Sequence, residues 1–149
     1  MCETVALQSA LDLLRKPGDI MASRIDRVLE TARSRLHRMP AGAVPAALER
    51  GAVLVDIRPQ AQREREGAVP AALLIERNVL EWRCDPSSEH RDPRIDGRER
   101  QLILMCNEGY QSSLAAATLH ELGLTSATDL DGGFQAWRAA GLPVEPLRD

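Results

Sequence analysis

A cysteine at the junction of a predicted strand and a predicted helix is the residue of this chain best suited to chemistry. Residues 101–105 form a short apolar run typical of a buried parallel strand, and residues 114–122 favour a helix. The loop that starts at Cys106 opens onto the N-terminus of that helix. Backbone N–H groups and the helix dipole favour an anion there, such as a thiolate, a sulfur oxyanion or a phosphate. We therefore expect Cys106 to act as a nucleophile.

The residues that follow Cys106 are expected to surround its sulfur. Gly109 allows a backbone angle that other residues avoid and would let the loop curl, although a plain turn would use the same residue. Ser112 and Ser113 could donate hydroxyls to the sulfur, but we expect at least one of them to cap the helix. The alternative for Cys106 itself is a small buried apolar residue without chemistry, which this loop context disfavours.

Composition excludes several classes of protein. A chain of 149 residues with 44% hydrophobic content fits one globular domain, and a net charge of −3 is too small to indicate nucleic-acid binding. Its three cysteines lie far apart without a C-x-x-C pair, so we expect no zinc site, no other cofactor and no disulfide framework. We find no secretory signal and no apolar run near the ~20 residues of a membrane span. These features predict a cytoplasmic protein with no membrane partner.

Strands alternate with helices after Pro40, which predicts a parallel sheet covered on both faces. Active sites of such sheets lie at the carboxyl ends of the strands, where Cys106 falls. Residues 84–100 are polar and read as an exposed loop of some mobility. The predicted strands cover residues 53–57, 72–75, 101–105 and 127–130, and the predicted helices cover residues 44–49, 60–66, 78–82, 114–122 and 134–140.

The first 38 residues form a predicted helical extension, and residues 39–149 form the domain itself. Helices are expected at residues 4–15 and 23–37, with Ser23 as the N-cap of the second. Their apolar stripes either pack on the domain or form a homodimer contact, and we expect no role for them in chemistry. The stripe of the second helix consists of Ile25, Val28, Leu29, Ala32 and Leu36.

Three motifs occur in the right order to resemble one known family. The loop has Cys106 at its first position, Gly109 at its fourth and Ser112 just after its sixth. Residues 128–144 contain Leu, a spacer, Gly-Gly-Phe, Trp and Gly-Leu-Pro, and residues 53–58 form a strand that ends in Asp-x-Arg. Together they resemble the rhodanese-like sulfurtransferase family in its single-domain bacterial form. The resemblance implies a three-layer α/β fold with a central parallel sheet flanked by helices.

The resemblance also implies an activity. A rhodanese moves sulfane sulfur from a donor, either thiosulfate-like or a persulfide, to a thiol or protein acceptor through a cysteine persulfide, here on Cys106. Asp56 and Arg58 are expected to form a structural ion pair near the site. The implied substrate-binding residues are the rest of the loop and Ser112, with Arg77 added as a candidate cation: Asn107, Glu108, Gly109, Tyr110, Gln111, Ser112 and Arg77.

The loop departs from that of the thiosulfate-using members in its charges. They often carry Arg where this chain has Gln111, and Glu108 adds a negative charge beside an anion site. Both changes should weaken the capture of a dianion such as thiosulfate. Arg77, at the end of the strand predicted at residues 72–75, is either the replacement cation or an ordinary surface residue.

Two other functions compete with sulfur transfer. A phosphatase of the related fold would need a Cys-x5-Arg loop, and that Arg would fall at position 112, which is Ser112. A non-catalytic binding module would keep the fold and hold a partner without turnover. An intact Cys106 argues against the second alternative.

Overall fold

The structure is a computed structural model that describes residues 22–147. The helix predicted at residues 4–15 therefore lies outside the described residues. The second predicted helix is present and shorter than expected, and it begins with the predicted cap. The Ser23 hydroxyl accepts a hydrogen bond from the Asp26 amide, and the Asp26 carboxylate accepts one from the Ser23 amide. This reciprocal pair is a capping box, which satisfies two amides at the start of the helix.

A four-stranded parallel sheet forms the centre of the described residues, in the order β2-β1-β3-β4. Its strands are β1 (Val53–Asp56), β2 (Leu73–Leu74), β3 (Leu102–Met105) and β4 (Thr128–Asp129). The central strand β3 is buried along its whole length because helices cover both faces of the sheet. The predicted α/β class with a parallel sheet is confirmed.

Helices connect successive strands and supply the two outer layers. They are α1 (Arg24–Ser34), α2 (Val44–Glu49), α3 (Gln60–Glu66), α4 (Leu80–Cys84), α5 (Gln111–Glu121) and α6 (Gly133–Ala139). Short 3₁₀ turns at Ala41–Ala43 and Arg77–Val79 precede α2 and α4.

Side chains of the central strand alternate between two apolar cores. Leu102 and Leu104 face the core that contains α5, whereas Ile103 and Met105 face the one that contains Phe134 and other residues of α2 and α6. Successive side chains of a strand point to opposite faces of the sheet, so one short strand serves both layers. Packing on both faces fixes the position of the end of β3 and of Cys106, the residue that follows it.

Two predicted elements are present but differ in part from the expectations. The strand predicted at residues 72–75 is confirmed at Leu73 and Leu74, and Leu74 is 41% exposed because β2 is the edge of the sheet. In the loop predicted at residues 84–100, Cys84 belongs to α4 and residues 85–100 carry no helix or strand, but Ile95 and Asp92 are buried, and Asp92 accepts hydrogen bonds from the Arg94 side chain.

Helix α1 packs along α5, so the extension contacts the domain. Leu29, Ala32 and Leu36 are buried, as the stripe predicts. Ile25 and Val28 belong to the same predicted stripe, yet they are 59% and 54% exposed. Only the C-terminal half of the stripe therefore lies against the domain within the described residues.

Candidate functional site

Cys106 follows the last residue of β3 and is itself only 7% exposed. Its carbonyl accepts a hydrogen bond from the Phe134 amide at 2.8 Å, which fastens the start of the loop to α6. Gly133 makes this approach possible, because a Cβ at that position would lie 2.5 Å from the Cys106 carbonyl oxygen. The Gly-Gly-Phe motif thus binds the backbone of the cysteine loop to the start of α6.

Backbone amides surround the sulfur of Cys106. The Gly109 N–H donates to Sγ at 3.1 Å and the Ser112 N–H at 3.4 Å. Gly109 has a φ of +90°, and a Cβ there would lie 2.8 Å from the Gly132 nitrogen, so no larger residue fits without strain. Amide donors at the start of α5 favour negative charge on the sulfur or on an atom bonded to it.

The expected capping role of the two serines was wrong. Tyr110 is the N-cap residue of α5, and no side chain caps this helix. Ser112 Oγ lies 3.2 Å from Cys106 Sγ and donates to Asp129 Oδ2 at 2.7 Å. Ser113 Oγ lies 2.8 Å from the same carboxylate oxygen and 3.2 Å from the Gly109 carbonyl oxygen. Both hydroxyls are drawn inward because a buried carboxylate accepts from them.

Asp129 is a residue of the site that sequence reasoning missed. It ends β4, is fully buried, and forms an ion pair with Arg38 over 2.9 Å between Oδ1 and Nε. A polar residue in the last predicted strand was the available signal, since the carboxyl ends of parallel strands meet at one edge of the sheet. A buried carboxylate needs partners, and Arg38 and the two serines supply them.

Two arginines that precede the predicted domain boundary also reach the loop. Arg33 of α1 donates through Nη2 to the Gly109 carbonyl at 2.7 Å and through Nε to Ser113 Oγ at 3.0 Å. Arg38 donates through Nη2 to the same carbonyl at 2.9 Å. No sequence signal marked these residues, because nothing local to α1 indicates that it lies beside the loop.

Asp56 and Arg58 form the expected ion pair. Both side chains are fully buried, and Arg58 Nη2 lies 2.8 Å from Asp56 Oδ2. The guanidinium also donates to the Gly67 carbonyl and lies 3.9 Å from the centroid of the Phe134 ring. The pair braces the end of β1 against α6, next to the loop.

An open cavity of about 560 Å³ leads to Cys106. Arg77 lines it, but its Nη1 lies 2.6 Å from Glu81 Oε1, so its charge is already paired. Trp82 is 57% exposed and lies outside the lining. The lining residues from the cysteine loop are Cys106, Asn107, Glu108, Tyr110 and Gln111, and those from other segments are Ile57, Arg58, Pro59, Gln62, Glu76, Arg77 and Asn78.

Of the other loop residues, Asn107 is bonded to the rest of the fold, whereas Glu108, Tyr110 and Gln111 are exposed at the cavity. Asn107 accepts hydrogen bonds from Gln135, through its carbonyl at 3.1 Å and its side chain at 2.9 Å. Glu108 and Gln111 are exposed at the cavity and form no ion pair or side-chain hydrogen bond with other described residues. Tyr110 is 58% exposed, and its ring lies 5.5 Å from the guanidinium carbon of Arg33.

The second described cysteine differs from Cys106 in its surroundings. Cys84 is 1% exposed at the end of α4, and burial, together with the nearby charges of Asp92 and Glu81, raises its pKa to about 12. Within residues 22–147, no three His, Cys, Asp or Glu side chains come together as a metal site. No helix in that range is long and apolar enough to cross a membrane.

The fold and the site define an α/β protein with a cysteine-centred loop at the carboxyl edge of a parallel sheet. The family model of the rhodanese-like domain matches residues 41–140. The chain therefore belongs to the rhodanese-like domain family, as the three motifs predict.

Two relatives named as sulfurtransferases and one solved structure are similar to this chain. The thiosulfate sulfurtransferase GlpE of Pseudomonas savastanoi pv. phaseolicola is 31% identical over 102 residues, which are 68% of this chain and 87% of that protein. A sulfurtransferase of Allochromatium vinosum is 30% identical over 92 residues, covering 62% and 77% of the two chains. A solved protein of Rhodopseudomonas palustris, described as a possible tyrosine phosphatase, is 32% identical with a TM-score of 0.74. That match covers 84% of this chain and 96% of the other.

Proposed function

We propose that this chain is a sulfurtransferase that carries sulfane sulfur on Cys106 as a persulfide. The observation that carries the proposal is the placement of Cys106 Sγ, which receives two backbone N–H groups at the start of α5 and is reached from an open cavity. Such donors stabilise negative charge on Sγ and on a sulfur atom bonded to it. Relatives named as sulfurtransferases, at 30–31% identity, support the same reaction class.

The proposed reaction has two displacement steps. The Cys106 thiolate attacks the outer sulfur of a donor, a new S–S bond forms, and the donor's S–S bond breaks with its electron pair on the leaving group. With thiosulfate the leaving group is sulfite, and with a persulfide it is a thiolate. A nucleophilic acceptor then takes the outer sulfur, and the electron pair of the breaking bond restores the Cys106 thiolate.

The charges that line the cavity affect which sulfur donor it can bind. Arg58 is paired with Asp56 and Arg77 with Glu81, whereas Glu108 is exposed and carries an uncompensated negative charge among the described residues. A dianion gains little from such a surface. We propose that a persulfide of a thiol or protein loads Cys106 better than thiosulfate does, and that a thiol or protein accepts the sulfur.

The test is mass spectrometry of the full chain after exposure to thiosulfate and, separately, to glutathione persulfide. We expect an added mass of one sulfur atom on the peptide that contains Cys106, and its removal by cyanide with formation of thiocyanate. The Cys106→Ser variant should show neither. If neither donor loads the wild-type protein, the binding-module alternative replaces this proposal.

The phosphatase alternative is favoured by one observation, the description of the Rhodopseudomonas palustris protein. This chain lacks the guanidinium that such a loop uses, because position 112 is a fully buried serine. Hydrolysis of p-nitrophenyl phosphate that disappears in Cys106→Ser, without any sulfur loading of the wild-type protein, would favour the phosphatase instead.

A further inference from the structure

The carbonyl oxygen of Gly109 accepts hydrogen bonds from two guanidinium groups. Arg33 Nη2 donates to it at 2.7 Å and Arg38 Nη2 at 2.9 Å, and Ser113 Oγ lies 3.2 Å away. A single carbonyl with two guanidinium donors is unusual, because one donor satisfies most buried carbonyls. Glycine is also the residue with the most backbone freedom, so these donors restrict a peptide that its own side chain does not. The arrangement therefore fixes the direction of the peptide between Gly109 and Tyr110.

The direction of that peptide decides where its N–H points. The Gly109–Tyr110 bond is trans, so the Gly109 C=O and the Tyr110 N–H point in opposite directions. Because the arginines hold the carbonyl, the Tyr110 N–H points away from them. It has no acceptor among the described residues. Tyr110 lies in sequence between Gly109 and Ser112, whose N–H groups both donate to Cys106 Sγ, so its free N–H is available to a second sulfur bonded to Sγ.

Both arginines are themselves held in place. Arg38 pairs with Asp129 at 2.9 Å and with Asp131 at 3.1 Å. Burial would lower the pKa of the Arg38 guanidinium, but the hydrogen bonds and charge of Asp129, with the charges of Asp131 and Cys106, outweigh it and raise that pKa. Arg33 is fixed by its bond to Ser113 and by the ring of Tyr110. The two cations form a rigid support behind the loop.

We propose that Arg33 and Arg38, which precede the region matched by the family, are positioning residues that aim the Gly109–Tyr110 peptide at the sulfur atom carried on Cys106. The proposal rests on the proposed function for the identity of that sulfur. It replaces the expectation that residues 1–38 have no role in chemistry. The arginines act through the peptide and do not touch the substrate.

The experiment compares full-length variants at Arg33, which pairs with no buried carboxylate within residues 22–147, so its replacement leaves none of those carboxylates unpaired. Arg33→Met removes both hydrogen bonds, whereas Arg33→Lys keeps a donor for the Gly109 carbonyl. Arg35→Met is the matched control, since Arg35 lies at the same end of α1, is exposed, and takes part in none of these bonds. The readouts are the pH–rate profile of Cys106 alkylation by iodoacetamide, kcat and KM for sulfur transfer, and the thermal midpoint.

Gly109, whose carbonyl Arg33 holds, also donates its own N–H to Cys106 Sγ, so loosening this residue affects the free thiolate as well as the persulfide. We therefore expect Arg33→Met to slow Cys106 alkylation at neutral pH by about tenfold, the size of one charge-assisted hydrogen bond, and to move the pH–rate profile to higher pH. Turnover should fall mainly through kcat, because the amide acts on the transferred sulfur. Arg33→Lys should recover most of the reactivity, and Arg35→Met should match the wild-type protein. For Arg38, the double variant Arg38→Met/Asp129→Asn avoids an unpaired buried carboxylate. It is compared with Asp129→Asn alone and should react more slowly than that single variant, because only the double variant loses the Arg38 bond to the Gly109 carbonyl.

Two results would overturn the proposal. One is an Arg33→Met protein with a wild-type profile and kcat. The other is an equal loss in Arg33→Met and Arg33→Lys with an unchanged profile, which indicates a packing defect. Failure of the wild-type protein to load sulfur would contradict the proposed function. The pH–rate profile of alkylation would still test the role of the arginines, because alkylation needs no sulfur donor.

Discussion

The hydroxyl of Ser112 donates to the carboxylate of Asp129 over 2.7 Å. This bond joins the start of α5, the helix that follows Cys106, to the end of β4, the strand that pairs with β3. Ser112 Oγ lies 3.2 Å from Cys106 Sγ, so one side chain links the reactive sulfur to a fully buried carboxylate. The position of the loop therefore depends on β4 as well as on β3.

Replacement of Asp129 tests this dependence. Asp129→Ala would leave Arg38, Ser112 and Ser113 without their shared acceptor, and we expect a loss of about 3–5 kcal/mol in the free energy of unfolding. Asp129→Asn keeps one acceptor oxygen and should cost less. Urea denaturation measures both, with Asp131→Asn as the control, because the Asp131 side chain is 63% exposed and pairs with the same Arg38 at 3.1 Å. Equal stability of Asp129→Ala and the wild-type protein would contradict the role of this carboxylate.

The two described cysteines should differ in reactivity. Cys84 is buried with a pKa of about 12, so almost none of it is thiolate at pH 8. Cys106 opens onto the cavity. We expect iodoacetamide at pH 8 to label Cys106 and to leave Cys84 unlabelled until urea unfolds the chain. Peptide mapping by mass spectrometry checks this, and Cys84→Ala should retain sulfur loading. Labelling of Cys84 in the folded protein would contradict the conclusion that this thiol is buried and protonated.

Charge at the cavity should control the use of thiosulfate. Gln111→Arg adds a guanidinium and Glu108→Gln removes a negative charge, and both positions line the cavity. Each change is worth about 1 kcal/mol, so we expect the KM for thiosulfate to fall about fivefold with little change in kcat. The effect of Glu108→Gln should shrink at high salt. Steady-state kinetics with thiosulfate and cyanide provide the measurement.

The control for these two variants is Glu121→Gln, which removes the same charge from the far end of α5, outside the cavity. An unchanged KM in both Gln111→Arg and Glu108→Gln would mean that another group holds the anion. Arg77→Met would then be the next variant, since Arg77 lines the same cavity.

Asp92 should make the protein sensitive to acid. Hydrogen bonds from the Arg94 side chain lower the pKa of Asp92 to about 2. An unfolded aspartate has a pKa of about 3.9, so this group stabilises the folded state fully above about pH 4. That stabilisation is lost as the pH falls from about 4 through about 2. We expect Asp92→Asn to be less stable than the wild-type protein at neutral pH, with a difference that narrows toward pH 2.

The matched control is Asp96→Asn, whose partner Arg100 lies at 2.7 Å on the surface, with Asp96 73% exposed. Exposed ion pairs contribute little, so this variant should follow the wild-type protein across the pH range. Urea midpoints measured between pH 2 and pH 7 compare the three proteins. If the urea midpoints of Asp92→Asn and the wild-type protein differ by the same amount at every pH, the pKa of Asp92 is not the cause of the acid sensitivity.

Local patterns determined the strand, the loop and the helix around Cys106. An apolar run that ends at Met105, a glycine three residues after the cysteine and a helix-forming segment are all contiguous, and together they place the thiol at a helix N-terminus. The Asp-x-Arg and Gly-Gly-Phe motifs were equally readable, because each acts through neighbours close in sequence or through a backbone that only glycine permits. The family and the nucleophile follow from these short segments.

Tertiary structure decided what surrounds the loop. Arg33 meets the Gly109 carbonyl across 76 positions of chain and Arg38 meets Asp129 across 91, so no local pattern could pair them. The same packing buried Cys84 and drew Ser112 and Ser113 away from capping. Propensity predicts that a serine near a helix start will cap it, but a buried carboxylate needs donors more strongly. Where Asp129 comes to lie is set by the order of the strands, and only the folded sheet establishes that order.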